Sequence, residues 1–320
     1  MSIFSNRYIT NEDLDHSYLQ ALQSRVIPPI HRFTSKVQVN SWFNLYEDED
    51  NIYYDSIHNF AKSIKANIAE YVKKDMNYIS IGGLNDVKDR YLLEEFTKQT
   101  NPTLSVIASS KYLVKNTLDS LSNIDMKKEV FISDFNAKNI RLISEEIREE
   151  HHSNHFFSLL GNSFGIYPQE YISKALRDAM NKDDYLLIEV HTSPDRITPT
   201  HTKKMLLNYR REKFQKHIIL ILDKIGITLE DGDLELEYSN DKFFTEMTVV
   251  NYYFRFKKSK IIRFLDQDIY FAKDERILLF SSNKYKLSVL KNILNNHGFR
   301  IKEEFISSEL NSVQILCQLK

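Results

Sequence analysis

Glycine is scarce: 7 of 320 residues, against roughly 7 % in ordinary soluble proteins. In such a chain a retained glycine is more informative than usual, and four of the seven fall in two places, Gly82-Gly83 and Gly161/Gly165. Cysteine is nearly absent. The lone Cys317 excludes an internal disulfide and a multi-cysteine zinc site, as suits a reducing compartment. No run approaches the ~18 uninterrupted apolar residues of a membrane span. The opening MSIFSNRYITNEDLDH lacks a basic start followed by an apolar stretch, so no signal peptide is expected and the chain reads as cytoplasmic. An excess of either charge is missing too. The 43 basic and 44 acidic side chains leave a net charge of −1, without the overall basic field that attracts nucleic acid. Neither nucleic acid nor a membrane is expected as a partner.

What is present is a soluble globular mixture, 42 % hydrophobic and 27 % charged, long enough for one large domain or two smaller ones. Residues 55–74 carry apolar side chains at helical spacing. Short apolar runs then follow at 78–81 (YISI), 104–108 (LSVIA), 130–132 (VFI), 156–160 (FFSLL) and 185–190 (YLLIEV). Amphipathic stretches such as VKDRYLLEEFTKQ and KNIRLISEEIREE separate them. Five strands alternating with helices predict a parallel, doubly wound α/β sheet with helices on both faces. Past Val190 the pattern changes. HTSPDRITPT reads as a linker, 203–226 as a helix ended by Gly226, and the runs after it as an antiparallel meander. A helix closed by Gly298 and a hairpin follow. The layout places 62–195 and 284–320 in the doubly wound domain, and 1–61 and 196–283 in a second α+β module.

Ligands of open parallel sheets sit outside the carboxyl ends of the strands. Gly82-Gly83 follows the first of the five strands and opens a helix, Asp134-Phe135 follows the third, and Gly161-Asn162 follows the fourth. Backbone amides after the first strand suit a polar or anionic ligand, while Asp134 can accept from an exocyclic amine beside a ring packed on Phe135. The histidines His151, His152 and His155, and the pair His191 and His201, lack an acid placed to support a metal. They read as surface or capping residues, and no metal is expected.

GGLNDVKDRYLLEEF, the SDF of 133–135, FFSLLGNSFGIYPQEYISKALRDAMNKDDYLLIEV, FTEMTVVNYYFRF and ERILLFSSNKYKLSVLKNILNNHGF together resemble the histidine Nα-methyltransferases of the ergothioneine pathway. The resemblance runs in order from about Tyr53 to the C-terminus. It implies a class I, Rossmann-like methyltransferase sheet with a second domain closing over an amino-acid substrate, and S-adenosylmethionine as cofactor. By that resemblance Gly82, Gly83 and Lys88 hold the cofactor's methionine end, and Asp134 and Phe135 contact its adenine. Gly161, with Asn162 in the same loop, lies beneath it. Tyr53 and Tyr54 match a tyrosine pair on the substrate side, together with Glu246, Met247 and Ser282. Methyl transfer asks chiefly for alignment of nucleophile and methyl group, and an aromatic face can stabilise the cation. Tyr53 or Tyr54 is the candidate for that role, Tyr54 being taken as catalytic.

The departures are as specific as the matches. Ser80 stands where the family has an acid in the first strand, Leu84 where it has a second loop glycine, and Ile107 where it has a ribose-binding aspartate. No carboxylate lies within three residues of Ile107. Losing a charge-assisted hydrogen bond to ribose costs about 1.5–3 kcal/mol, roughly ten- to a hundredfold in affinity. Ile166 replaces an asparagine that holds imidazole, and Phe280 replaces a glutamate that holds the substrate's amino end. The residues therefore predict a small-molecule N-methyltransferase for which free histidine is not the substrate. The competing reading is a degenerate member of the fold that binds a nucleotide-like ligand or a protein partner without catalysis, and Ser80 and Ile107 sustain it.

Overall fold

Strands buried on both faces read as unbroken apolar runs, because helices must cover each side. The structure is a computed structural model that describes residues 4–46, 53–72, 76–83, 86–193, 202–203, 206–240 and 247–320. In chain order the strands are β1 (Phe4–Arg7), β2 (Met76–Ile81), β3 (Leu104–Ala108), β4 (Lys128–Ile132), β5 (Asn154–Leu159), β6 (Tyr185–His191), β7 (Gly232–Asn240), β8 (Met247–Phe256), β9 (Lys260–Phe264), β10 (Gln267–Phe271), β11 (Arg276–Tyr285), β12 (Phe299–Ser307) and β13 (Ser312–Leu319). The described α-helices are α1 (Asn11–Ser24), α2 (Lys36–Tyr46), α3 (Tyr54–Ala69), α4 (Asp86–Phe96), α5 (Lys111–Ser120), α6 (Ala137–His151), α7 (Gln169–Ala179), α8 (Glu212–Ile219) and α9 (Leu287–Asn296). None of them is long and apolar enough to cross a membrane.

Two units result: residues 1–8, 49–192 and 287–320, and residues 9–48 and 193–286. The first carries an eight-stranded sheet in the order β1-β4-β3-β2-β5-β6-β13-β12. The strands from β1 to β6 run parallel, and the hairpin of β12 and β13 adds antiparallel strands beyond β6. Every residue of β2 and β3 is buried. The rings of Tyr78, Phe96 and Phe156 meet at centroid distances of 5.0–5.6 Å and fasten α4 to β2 and β5. From β2 the chain builds outward to β3 and β4, then returns to lay β5 on the other side of β2. That reversal between β2 and β5 opens the crevice in which α/β proteins hold ligands.

Two segments differ from the sequence reading, which put residues 1–61 with the second module. Phe4–Arg7 pairs with β4 as an edge strand of the large sheet. Helix α3 buries Ala61, Ile64 and Ile68 and packs against α4 in the same unit. Helical periodicity says that a face is covered but not by which partner.

The second unit sets α1, α2 and α8 with a three-stranded antiparallel sheet, β11-β8-β7, and the β9–β10 hairpin. Alternate residues of β8 are buried, the pattern of a sheet with one face on a core. That core joins Tyr18, Leu22, Ile218, Leu222, Phe254 and Phe271. Thr10 and Asp13 close a reciprocal capping box at the start of α1. The single helix expected over 203–226 is not continuous. Arg211 is extended at the N-cap of α8, and the Tyr252 hydroxyl donates to the Tyr209 carbonyl, engaging that group outside a helical ladder. A 3-10 turn over Leu220–Ile225 follows α8 and ends at Gly226.

Candidate active site

The crevice at the switch point is walled by the loops after β2 and β5. Gly82 donates its amide to the Ile107 carbonyl at 2.8 Å. Gly83 has φ +59°, and a Cβ there would lie 3.0 Å from Thr117 Oγ1, whose hydroxyl donates to the Gly83 carbonyl at 2.6 Å. Only glycine lets the backbone turn this close to α5. A Cβ on Gly82 would be 3.9 Å from Ser163 Oγ, so the two loops stand side by side.

Lys88 and Asp89, in the first turns of α4, are both buried. The Lys88 ammonium donates to both Glu189 oxygens, at 2.6 and 2.5 Å, and Glu189 also accepts the Gly161 amide at 3.0 Å. Asn162, left-handed at φ +63°, accepts the His191 amide through Oδ1 at 2.8 Å. A chain of charged and polar groups from α4 through β6 thus sets the Gly161-Asn162 loop. Asp89, which the sequence reading did not single out, accepts from the hydroxyls of Tyr78 (2.6 Å), Ser80 (2.7 Å) and Ser158 (2.9 Å). Burial first, and then the Asp89 carboxylate, push the Tyr78 hydroxyl well above its ordinary range, which keeps it a donor.

After β4, the Asp134 carboxylate takes three hydrogen bonds. Asn136 Nδ2 reaches Oδ1 at 2.6 Å and Oδ2 at 2.7 Å, and Asn139 Nδ2 reaches Oδ1 at 2.6 Å. A carboxylate offers about four lone-pair positions, which leaves room on Oδ2 for one further donor such as an exocyclic amine. The Phe135 ring meets Tyr167 edge-on at 5.6 Å, and Tyr167 stacks with Tyr171 at 6.5 Å. Burial and then the Asp134 charge push the Tyr171 hydroxyl up to about 12, so this row of rings lies beside the acid. Tyr167 is extended ahead of the N-cap Pro168, so helical spacing gave no signal for this pair. Ile107, one residue before the end of β3, is a buried apolar side chain between Ile81 and Phe131. Among the described residues, an acid with an open acceptor position beside a row of rings, and glycine loops with close backbone approach, are a donor set compatible with S-adenosylmethionine, while Ile107 stands where the resemblance implies a ribose-binding acid.

Tyr53 forms the N-cap of α3. Tyr54 is 41 % exposed, with its ring 4.5 Å from that of His58, and His58 Nδ1 pairs with the Tyr91 hydroxyl at 3.0 Å.

In the second unit, Met247 opens β8 opposite Tyr285 of β11. Ser282 is buried, and its Oγ accepts the Lys284 ammonium at 2.8 Å. The same ammonium donates to the Tyr209 hydroxyl at 2.7 Å. Phe280 lies under the Arg32 guanidinium, 4.5 Å from the ring centroid, and meets the rings of Tyr209 and Phe214 at 5.8 and 5.6 Å. Glu246, expected on the substrate side, falls outside the described residues, as does Leu84.

The histidines depart from the sequence reading. His155 is neither a surface nor a capping residue. It is fully buried, held by the Asp184 carboxylate at its amide and by the Ser144 carbonyl at Nε2, and burial presses it down to about 4. His152 does cap α6, in the left-handed region. A further correction concerns the expectation that no acid stands beside these histidines: His151 Nε2 lies 2.9 Å from Glu129 Oε1, and Glu150 completes a cluster with ligand atoms within 4.8 Å of one another. There the Lys127 ammonium bridges the two acids at 2.7 and 2.6 Å, at the end of β4 away from the crevice.

Among solved structures the chain is similar to the CcbJ methyltransferase from Streptomyces caelestis, with 7 % identity over 81 % of this chain and 89 % of that one and a TM-score of 0.41. It is also similar to the Burkholderia thailandensis 1,6-didemethyltoxoflavin-N1-methyltransferase with bound 1,6-didemethyltoxoflavin and S-adenosylhomocysteine, at 8 % identity, 96 % and 90 % coverage and TM-score 0.40. A SAM-dependent methyltransferase from Aquifex aeolicus aligns at 9 % identity, 88 % and 98 % coverage and TM-score 0.42. No curated protein matches by sequence. The family described as histidine-specific, SAM-dependent methyltransferases matches residues 44–319, which takes in the glycine loop, Asp134, the Gly161 loop and both strands that carry Met247 and Ser282. Over that span, nearly its whole length, the chain belongs to the family of SAM-dependent, histidine-specific methyltransferases.

Proposed function

We propose that the chain methylates a nitrogen of an amino acid or related small metabolite other than free histidine. The cofactor of the family, S-adenosylmethionine, supplies a methyl group on a sulfonium. The observation that carries the substrate reading is Phe280. Where the resemblance implies a glutamate for the substrate's amino end, this chain has a phenyl ring under the Arg32 guanidinium. The Arg32 guanidinium already occupies that ring face and repels an ammonium that a carboxylate would hold. Ile166, in the place of the imidazole-holding asparagine, removes the second polar anchor.

The chain's own residues have few chemical tasks in such a reaction. Gly82 and Gly83 let the backbone approach the methionine end; Lys88, expected there too, has its ammonium held by Glu189 and would serve that end by setting the Gly161 loop. Asp134 accepts from the adenine amine, and Phe135 packs against its ring. The substrate amine must arrive deprotonated, with its lone pair in line with the methyl carbon. When bound, the cofactor would supply the methyl group and its sulfur would keep the electron pair, while the chain's residues would hold nucleophile and methyl in line. Tyr54 is assigned to steering that amine, its ring face and hydroxyl serving the cation that forms, with Tyr53, Met247, Ser282 and Glu246 as substrate contacts.

The test begins with calorimetric titration of S-adenosylmethionine and S-adenosylhomocysteine, Asp134→Ala serving as control. A screen of amino acids and amines with labelled methyl donor follows. Binding lost in the control, and label on an amine other than histidine, is the expected result. Trimethylation of free histidine at a measurable rate overturns the substrate reading.

A further inference from the structure

By its resemblance the chain should carry an acid at Ser80, and that missing carboxylate sustained the degenerate reading. The structure holds a carboxylate within hydrogen-bond distance of the same position. Asp89, one turn into α4 and 2 % exposed, accepts the Ser80 hydroxyl at 2.7 Å. Its other oxygen accepts Tyr78, two residues earlier in β2, and Ser158 of β5. Ser80 and Ser158 are direct partners across the β2–β5 pairing. Ser80 precedes Gly82 by two positions and Ser158 precedes Gly161 by three, so the carboxylate ties both strands just below both crevice loops.

A buried charge is costly unless its lone pairs are met. Three hydroxyl donors from two strands meet lone pairs of Asp89. Hydroxyls that serve only to satisfy a stray acid would not need to come from the two strands flanking the switch point. We infer that Asp89 replaces the strand acid: the carboxylate has moved from β2 to α4, with Ser80 as its relay, and positions the Gly82-Gly83 and Gly161 loops for the cofactor. Asp89 is a positioning residue. It acts through Ser80, Tyr78 and Ser158. This rests on the reading of the crevice as the cofactor site.

The experiment returns the acid to the strand. S-Adenosylhomocysteine affinity and melting temperature are measured for the wild type, Asp89→Ser, the exchange variant Ser80→Asp/Asp89→Ser, and Ser80→Ala. Asp89→Ser is expected to weaken binding by about tenfold or more, the size of one charge-assisted hydrogen bond, and the exchange variant to regain most of it. Ser80→Ala keeps the carboxylate and its Tyr78 and Ser158 donors, so it is expected to fold and to weaken binding about threefold to tenfold. Should Asp89→Ser not fold, Ser80→Ala decides, and unchanged affinity there overturns the inference. So does a folded Asp89→Ser that binds like the wild type, or a folded exchange variant that binds no better than the single. A folded wild type that binds neither S-adenosylhomocysteine nor S-adenosylmethionine sinks the cofactor reading itself. An indifferent Asp89→Ser beside a binding wild type sinks only the role given to Asp89.

Discussion

Lys88 and Glu189, 101 positions apart in sequence, form a buried ion pair in which one ammonium spans both oxygens of one carboxylate. Breaking such a pair leaves an uncompensated charge, which costs about 3–5 kcal/mol. Lys88→Met should therefore destabilise the protein strongly. Lys88→Met/Glu189→Gln should recover most of the loss, because glutamine can still accept the Gly161 amide. Urea unfolding of the two variants checks this, and a double variant as unstable as the single would remove the pair from the account.

Gly83→Ala is expected to cost about 1–2 kcal/mol for a side chain in the left-handed region, and more for crowding Thr117 Oγ1 at 3.0 Å. It should also weaken S-adenosylhomocysteine. Gly226→Ala has the same backbone hand at φ +67° with nothing within 4 Å of the added carbon. It should show the strain alone and keep the wild-type affinity.

Ile107 stands where the resemblance implies a ribose-binding aspartate. The 2′-deoxy analogue of S-adenosylhomocysteine should consequently bind within about tenfold of the parent, below the loss expected where an acid holds the hydroxyl. Competition calorimetry measures the ratio, and a ratio near a hundredfold would mean that another charged group serves the ribose.

Acid should destabilise the fold before its carboxylates titrate. Burial, with Arg32 as the second cause, holds His217 down to about 3. Burial likewise holds His31 and His155 down to about 4. Each is therefore neutral in the folded chain while its unfolded counterpart takes a proton near pH 6.5. The unfolded state binds more protons below that pH, so stability falls as pH drops from about 6.5 toward 4, by up to about 1.4 kcal/mol per pH unit for each histidine. His217 sits among the rings of Trp42, Phe33 and Phe214 at 5.3–6.5 Å, and His217→Phe should flatten the slope. Unfolding midpoints at pH 7 and pH 5 provide the comparison.

The large sheet was legible because β2, β3, β5 and β6 are covered on both faces and so appear as short apolar runs between amphipathic stretches. The crevice was legible because glycines are rare and two pairs of them follow those runs. Asp89 was not. In VKDRYLLEEF an aspartate looks like part of a solvated helix face, and only the packing of α4 onto β2 and β5 turns it inward. The same holds for Glu189, an acid within an apolar strand whose partner comes from a distant helix. Strand β1 is four residues long and borrows its order from β4, so no periodicity of its own announces it.

The place of β13 bears on how the chain is made. Its seven buried residues seal the flank of β6, yet β6 ends at His191 and β13 begins at Ser312. At translation speeds of roughly 5–20 residues per second, the ribosome needs on the order of ten seconds to bridge that gap. Throughout that interval β6 displays a bare apolar strand edge, the kind of surface on which nascent chains stick to one another. The second unit emerges in the same window, so holdase chaperones would find their binding site on β6 while its neighbour is still unmade.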